Sequence, residues 1–321
     1  MLVETIQEAY KTAAKPENIF MYIGLQYKNP PSLENIVDGQ QLSILQYDVD
    51  TRPGVVKVRY ELSEAILNSG NFNPGDYFLM IDAHSRFTYN WDVDLINDLK
   101  YLQLLKNKKE IILSKQCGSD PGQLSKTSLH ETYFYPLDQS IYSPSNPVTL
   151  FYGGQRQVNS FDEKFQQGGW ASCHFFFTTY EFVKDVGFDP YSHTFQEEPY
   201  LSFRSFMAGY DIYSNLLYTY IGHNSYKQYD GYDPRYWIKL SDEKYKKIFS
   251  SENLGDDQYS NLIVLAYINN TGRYAIKNAK RHPKMFFDQF GMTEVYDNLV
   301  NNKDLNTLLS DISEKYNNMH A

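Results

Sequence analysis

Gly75-Asp76-Tyr77-Phe78-Leu79-Met80-Ile81-Asp82-Ala83-His84-Ser85-Arg86-Phe87 is the stretch on which the fold turns. The turn Asn73-Pro74-Gly75-Asp76 feeds a run of five aromatic or apolar residues, the pattern of a strand, and the run stops at Asp82. In open α/β sheets ligands collect beyond the carboxyl ends of strands, so the polar cluster that begins at Asp82 stands where chemistry is expected. Residues i and i+2 of an extended backbone share a side, which lets Asp82 and His84 converge on one ion. Two protein ligands leave positions open for a diphosphate. A mixed carboxylate and imidazole set suits Mn²⁺ better than Mg²⁺, which prefers oxygen shells. Alone, the tripeptide is a weak signal, because a solvated aspartate and a surface histidine at a strand end would read the same way.

Upstream, residues 3–14 suggest an amphipathic helix ended by Lys15-Pro16, and 19–24 form a continuous apolar run of the kind found in strands buried on both faces of a parallel sheet. Asn29-Pro30-Pro31 breaks the chain, 42–47 offers a second strand and 56–69 a helix, so a βαβ rhythm leads into the 77–81 strand, expected at the sheet's centre. Downstream, 91–105 reads as a helix, 106–109 as a basic turn and 110–114 as a strand. From 117 to 167 the chain is rich in Pro, Gly, Ser, Asn and Tyr, with a short strand candidate at 148–152; this is a loop-and-hairpin region of the kind in which specificity is expected to sit. Regular structure resumes at 170–177, followed by helices over 179–186 and 197–208, extended segments over 210–213 and 216–223, and a charged helical segment from about Ser241.

The 321 residues allow one large α/β domain with an appendage, or two small ones. Thirty basic against 39 acidic residues give a net charge of −9, which argues against nucleic acid or anionic lipid as the main partner. Two cysteines, Cys117 and Cys173, are too few for a disulfide framework and fit a cytoplasmic, reducing location. The first twenty residues lack the basic start and apolar run of a signal peptide, and no stretch approaches the roughly 18 apolar residues of a membrane span. The 29 tyrosines and 20 phenylalanines suit a carbohydrate or nucleotide cleft, but AT-rich coding would enrich them equally, so they decide nothing.

Residues 75–87 followed by Trp91-Asp92 closely resemble the GE-E-Y-hydrophobic-IDSHMRF…WD signature of the Skp1-type protein N-acetylglucosaminyltransferase family, and more distantly the polypeptide N-acetylgalactosaminyltransferases. Further likenesses follow in the same order. Residues 23–30, IGLQYKNP, are similar to the family's first-strand SYRDP, with Lys28 for Arg and Asn29 for Asp; Gly54 and Arg59 resemble its GP-x-x-AR element, with Val58 for Ala. Residues 195–204, FQEEPYLSFR, resemble F-G-E-E-x-x-L-S-x-R, and 208–213 resemble HGYDFY. The resemblance spans roughly residues 19 to 230. It implies a GT-A type, Rossmann-like mixed α/β sheet flanked by helices over 1–240, with a C-terminal helical extension over 241–321 packed on it.

The same resemblance implies that Asp82, His84 and His223 bind the metal, with Mn²⁺ or Mg²⁺ neutralising the diphosphate that leaves as the sugar departs. Glu197 and Glu198 match the acidic pair beside the reacting sugar, although one of them could serve only the helix N-terminus. Tyr27 and Lys28 fall where base and ribose bind, Arg59 could reach base or phosphate, and Trp170 covers the sugar or packs. The implied reaction is transfer, with retention, of a sugar from a UDP-sugar, N-acetylglucosamine being the first choice, to a hydroxyl of a protein or glycan. Between Glu34 and Val55 the chain is shorter than the family's second βα unit, which leaves base specificity open. A metal-dependent hydrolase or nucleotidyltransferase and a catalytically silent sugar-binding module are the competing readings.

Overall fold

The computed structural model describes residues 2–26, 33, 42–47, 55–114, 130–135, 152–157, 164–188, 197–215, 218, 220–223, 265–266, 268–269, 276, 278–304, 306–307 and 309–310, with backbone alone at 130–135, 152–157, 199 and 223. In chain order the elements are α1 (Leu2–Thr12), β1 (Met21–Gln26), β2 (Leu42–Tyr47), α2 (Val55–Asn68), β3 (Tyr77–Ile81), β4 (Ser85–Phe87), α3 (Trp91–Leu105), β5 (Ile111–Ser114), β6 (His130–Tyr135), β7 (Tyr152–Gln157), β8 (Phe165–Gly168), β9 (Phe175–Thr179), α4 (Glu181–Asp185), α5 (Glu197–Met207), β10 (Asp211–Asn215), β11 (Ile221–His223), α6 (Pro283–Gln289) and α7 (Thr293–Asn301). The mixed α/β fold expected from the sequence is present.

The main sheet has five strands in the order β3-β9-β5-β10-β8. β5 and β10 run parallel, and the remaining neighbours are antiparallel. Because side chains alternate across a strand, single residues sort into two layers. Ile111, Leu113, Phe175, Phe177 and Tyr213 meet Leu95, Leu99 and Leu102 of α3 on one face. Ile112, Phe176 and Ile212 meet Phe182, Leu201, Phe203 and Phe286 on the other. Leu95, Leu99 and Leu102 are fully buried at i, i+4 and i+7, the spacing of one helical face. Each such side chain contributes about 1.5–3 kcal/mol relative to exposure. α6 closes the second layer, with the rings of Phe286 and Phe287 set edge-on to Phe203 at 5.1 and 5.7 Å.

Two expectations change. β3 stands at the edge of the five-stranded sheet instead of its centre, while β1 and β2 form a separate parallel pair in register from Met21↔Leu42 to Gln26↔Tyr47. α2 presses directly on that pair: a Cβ added to Gly24 would come within 2.1 Å of Val58 Cγ1. The strand expected from Trp170 begins only at Phe175. The reason lies in the backbone donors of the preceding loop, since the amides of Ala171, Ser172 and Cys173 bond to Ser202 Oγ at 2.7 Å, Ser114 Oγ at 2.7 Å and Glu198 Oε1 at 2.7 Å, leaving nothing for a ladder.

In the loop-and-hairpin region β6 and β7 pair antiparallel from His130↔Gln157 to Tyr135↔Tyr152. Residues 148–151 of the strand candidate there lie outside the described residues. The turn before β3 requires its glycine, because Gly75 has φ +92° and its amide reaches Glu181 Oε1 at 2.8 Å. Among the described residues no helix is long and apolar enough to cross a membrane.

Candidate active site

The site forms where β3 and β9 end together. Their antiparallel register sets Ile81 opposite Phe175, so the next residue on β3, Asp82, faces the one before it on β9, His174. His174 Nδ1 lies 2.5 Å from Asp82 Oδ2, and His84 Nε2 approaches the same oxygen at 3.8 Å. The other oxygen, Oδ1, accepts from Arg59 of α2 at 3.1 Å. Both partners are largely enclosed, with side chains 13% and 14% exposed.

Arg59 is shared. Its second terminal nitrogen donates to Glu197 Oε2 at the start of α5, so one guanidinium bridges the strand tip and the helix N-terminus. Glu197 is 5% exposed, and its Oε1 has no hydrogen-bond partner. Glu198 turns to the loop, where its Oε1 accepts from the Cys173 amide and, at 3.4 Å, from Ser172 Oγ. The acidic pair is thus divided: Glu197 holds the arginine and a spare oxygen, and Glu198 ties down the 171–174 turn.

Burial raises the pKa of Glu197, with Arg59 pulling it back and Glu198 adding to the rise. Burial likewise raises Glu198, opposed by His174 and the Cys173 amide. For His174, burial works against the imidazolium, but the hydrogen bond and charge of Asp82, with Glu198 behind them, outweigh it and raise the pKa. Burial also disfavours the charge on Arg59, yet Glu197 and the neighbouring acidic groups hold it firmly protonated. Burial, reinforced by Glu197, pushes the Cys173 thiol well up, which makes it a poor nucleophile. Three acidic side chains therefore gather around one permanent cation and one imidazole with a raised pKa, which leaves acidic groups in surplus.

That surplus and the donor set fit a divalent cation: one carboxylate with imidazoles near its outer oxygen is a combination suited to Mn²⁺. No group of three His, Cys, Asp or Glu side chains among the described residues stands ready to hold an ion. The third ligand implied by resemblance, His223, lies on β11, which pairs antiparallel with β4 so that His223 is opposite Ser85, one residue beyond His84. Only its backbone is described. Tyr27 and Lys28 lie outside the described residues, just past the carboxyl end of β1. Trp170 is 8% exposed and sits in the hydrophobic core with Ala171, Cys173 and Phe176, beneath the loop.

His174 is the residue that the sequence did not single out. It precedes a phenylalanine run and has no spacing relation to Asp82 or His84; only the β3–β9 register joins them. A polar residue at the lip of an apolar strand was the available signal. Ser114 and Ser202, which hold the loop amides, gave none.

The family model for Glycosyltransferase (GlcNAc) matches residues 65–297, well over half of the chain. Curated protein sequences give no match. Among solved structures 78 chains match. One is the crystal structure of GalNAc-T7 with UDP, GalNAc and Mn²⁺, similar at a TM-score of 0.52 and 13% identity over 92% of this chain and 55% of that one. The chain thus spans about half the length of that protein, and the likeness is one of fold.

Proposed function

Because the chain belongs to the Glycosyltransferase (GlcNAc) family, we propose that it is a metal-dependent, retaining enzyme that moves N-acetylglucosamine from UDP to a hydroxyl of a protein or glycan. The observation that carries this reading is the gathering at the tip of β3: Asp82 with imidazoles at 2.5 and 3.8 Å from one oxygen, beside an acidic pair of which Glu197 is buried. The neighbour's UDP and Mn²⁺ support the choice of donor and cation. Asp82, His84 and His223 would hold the cation. When bound, it supplies positive charge to the departing diphosphate.

The chain's own groups do the rest. Arg59 pairs with Asp82 and Glu197 at once and offsets part of the repulsion between the two carboxylates that face the cleft. Glu197 Oε1, buried and without a partner, is placed to accept a hydrogen bond from a sugar or acceptor hydroxyl; a buried acceptor left unmade costs about 1–3 kcal/mol, which a bound hydroxyl would recover. Glu198 and Trp170 fix the floor under that hydroxyl. Tyr27 and Lys28 take base and ribose. With retention, the leaving phosphate oxygen lies on the face that the acceptor enters and can accept its proton, so no strong side-chain base is required. The transferase unit is assigned to 1–240, with 241–321 as a helical extension, and the location to the cytoplasm, where Cys173 stays a free thiol.

A panel of UDP-sugars, including UDP-GlcNAc and UDP-GalNAc, incubated with the protein and Mn²⁺ tests the reading through released UDP. Slow hydrolysis of one donor, abolished by EDTA and by Asp82→Ala, is the expected result. Turnover that survives both removes the metal assignment, and donor binding without turnover favours a silent sugar-binding module.

A further inference from the structure

The N-terminal helix α1 precedes the matched span, which begins at residue 65, yet it grips the segment carrying Asp82 and His84 along its whole length. Thr5 is 3% exposed, and its hydroxyl lies 3.0 Å from both the Ala83 and the Ser85 carbonyl oxygens, the two that flank His84. One turn on, Glu8 accepts from the Phe87 amide at 3.1 Å and from Arg86 at 3.2 Å, while Glu4 accepts from the same guanidinium at 3.0 Å. The Ala9 carbonyl then takes the Trp91 indole N–H at 2.9 Å, and the Thr12 carbonyl the Asn90 amide at 2.7 Å.

Packing alone does not call for this arrangement. Ile6 and Ala9 are already fully buried on the inner face of α1, so the helix is anchored by apolar contact, and a buried hydroxyl beside them costs free energy unless it is bonded. Its contacts are with the carbonyl of the peptide plane that enters His84 and with that of the plane one residue further on, after Ser85. Tying the backbone at both ends of the His84–Ser85 pair limits how that stretch can rotate, and hence where the imidazole points relative to Asp82. Ser85, fully buried, adds a third tie by donating to the Asp82 carbonyl at 2.7 Å.

We propose that α1 is the positioning element of the metal loop and that Thr5 is its principal positioning residue, holding the Asp82–His84 turn in the ligating shape by bridging the carbonyls on either side of His84. The inference rests on the reading of Asp82 and His84 as cation ligands. Groups behind metal ligands typically control metal affinity by ten- to a hundredfold, and a hydroxyl acting on one of the ligands belongs at about the lower end.

The test is Mn²⁺ alone titrated into the full chain, with free Mn²⁺ read by electron paramagnetic resonance and thermal unfolding followed in parallel. Wild type should bind in a manner that Asp82→Ala abolishes. Thr5→Val, which keeps the shape and removes the hydroxyl, should weaken binding about tenfold while still folded at the temperature of measurement, and Thr5→Ser should restore it. Wild-type Mn²⁺ affinity in Thr5→Val, with or without a lowered melting point, overturns the positioning role and leaves the metal reading intact. No Asp82-dependent binding in wild type overturns both. If Thr5→Val does not fold, Glu8→Ala replaces it: a several-fold loss of affinity supports the role of α1, and unchanged affinity refutes it.

Discussion

Asp82, largely enclosed, and Asp98, buried, are aspartates close to the same sheet whose charge balance differs. Asp98, on α3, is 5% exposed and fully answered: Lys164 Nζ meets one oxygen at 2.5 Å, and Asn215 Nδ2, at 2.7 Å, and the Tyr220 hydroxyl donate to the other. Burial first, and then that hydrogen bond, push the Tyr220 phenol up, so it remains a donor. One negative charge meets one positive charge, and both carboxylate oxygens are bonded. The oxygens of Asp82 are bonded too, by Arg59 and His174, but that arginine also serves Glu197, Glu198 stands nearby, and Glu197 Oε1 is left without a partner. Burial of a carboxylate is thus no mark of function. Uncompensated charge and an unused acceptor are, because only those leave something for a ligand to satisfy.

The contrast breaks most visibly in a pair of alanine variants. Asp82→Ala should remove about 4 kcal/mol of transition-state stabilisation, roughly a thousandfold in turnover, through loss of the cation. Its melting temperature should stay close to wild type, because Arg59 keeps Glu197. Asp98→Ala should do the reverse and cost about 3 kcal/mol of stability, the low end for a broken buried pair because the Lys164 side chain is 41% exposed and can return to water. Turnover per folded molecule should fall by much less than tenfold. Unfolding curves and UDP release measured on the same preparations check both; an unstable Asp82→Ala, or a stable but inactive Asp98→Ala, would erase the distinction.

Glu197→Gln sharpens the point within the site. The amide keeps the shape and one acceptor oxygen but gives up the charge, and it brings an NH₂ toward either Arg59 or the cleft. A fall in turnover of about thirtyfold, roughly 2 kcal/mol, is expected. Stability should change by no more than about 1 kcal/mol, since lost pairing with Arg59 and relieved burial of charge oppose each other. A loss confined to KM would reassign Glu197 to uniform donor binding.

Much of this was legible in the sequence because it is local. The 77–81 strand and the 91–105 helix fall at their expected limits, set by a Pro-Gly turn and by an apolar face repeating at Leu95, Leu99 and Leu102. Asp82, His84, Arg59 and Glu197 were candidates, and the fold brings all four together except that His84 stands 3.8 Å off. What was not legible depends on register and on long-range partners. β3 takes the sheet edge, His174 meets Asp82 only because β9 runs antiparallel to β3, and the 170–174 loop forgoes a ladder because Ser114, Glu198 and Ser202 capture its amides. Periodicity carries no information on which distant serine will take a given N–H.

The smallest effect tests that register-made contact directly. His174 has its pKa raised in the fold, and the unfolded imidazole titrates near its ordinary value of 6.5. A group with a raised folded pKa binds more protons folded than unfolded between the two values, so its contribution is complete below 6.5 and drains away as the pH climbs through the folded value. His174→Gln removes the titration while leaving a side chain able to donate to Asp82. The stability gap between wild type and His174→Gln, taken from urea unfolding in EDTA, should therefore be widest below 6.5 and narrow as the pH rises above it. Adding Mn²⁺ should flatten the profile, because Asp82, the group that His174 approaches, would then serve the cation. A gap that widens with rising pH would mean that burial, and not Asp82, governs this histidine, and the pairing at the strand tip would have to be abandoned.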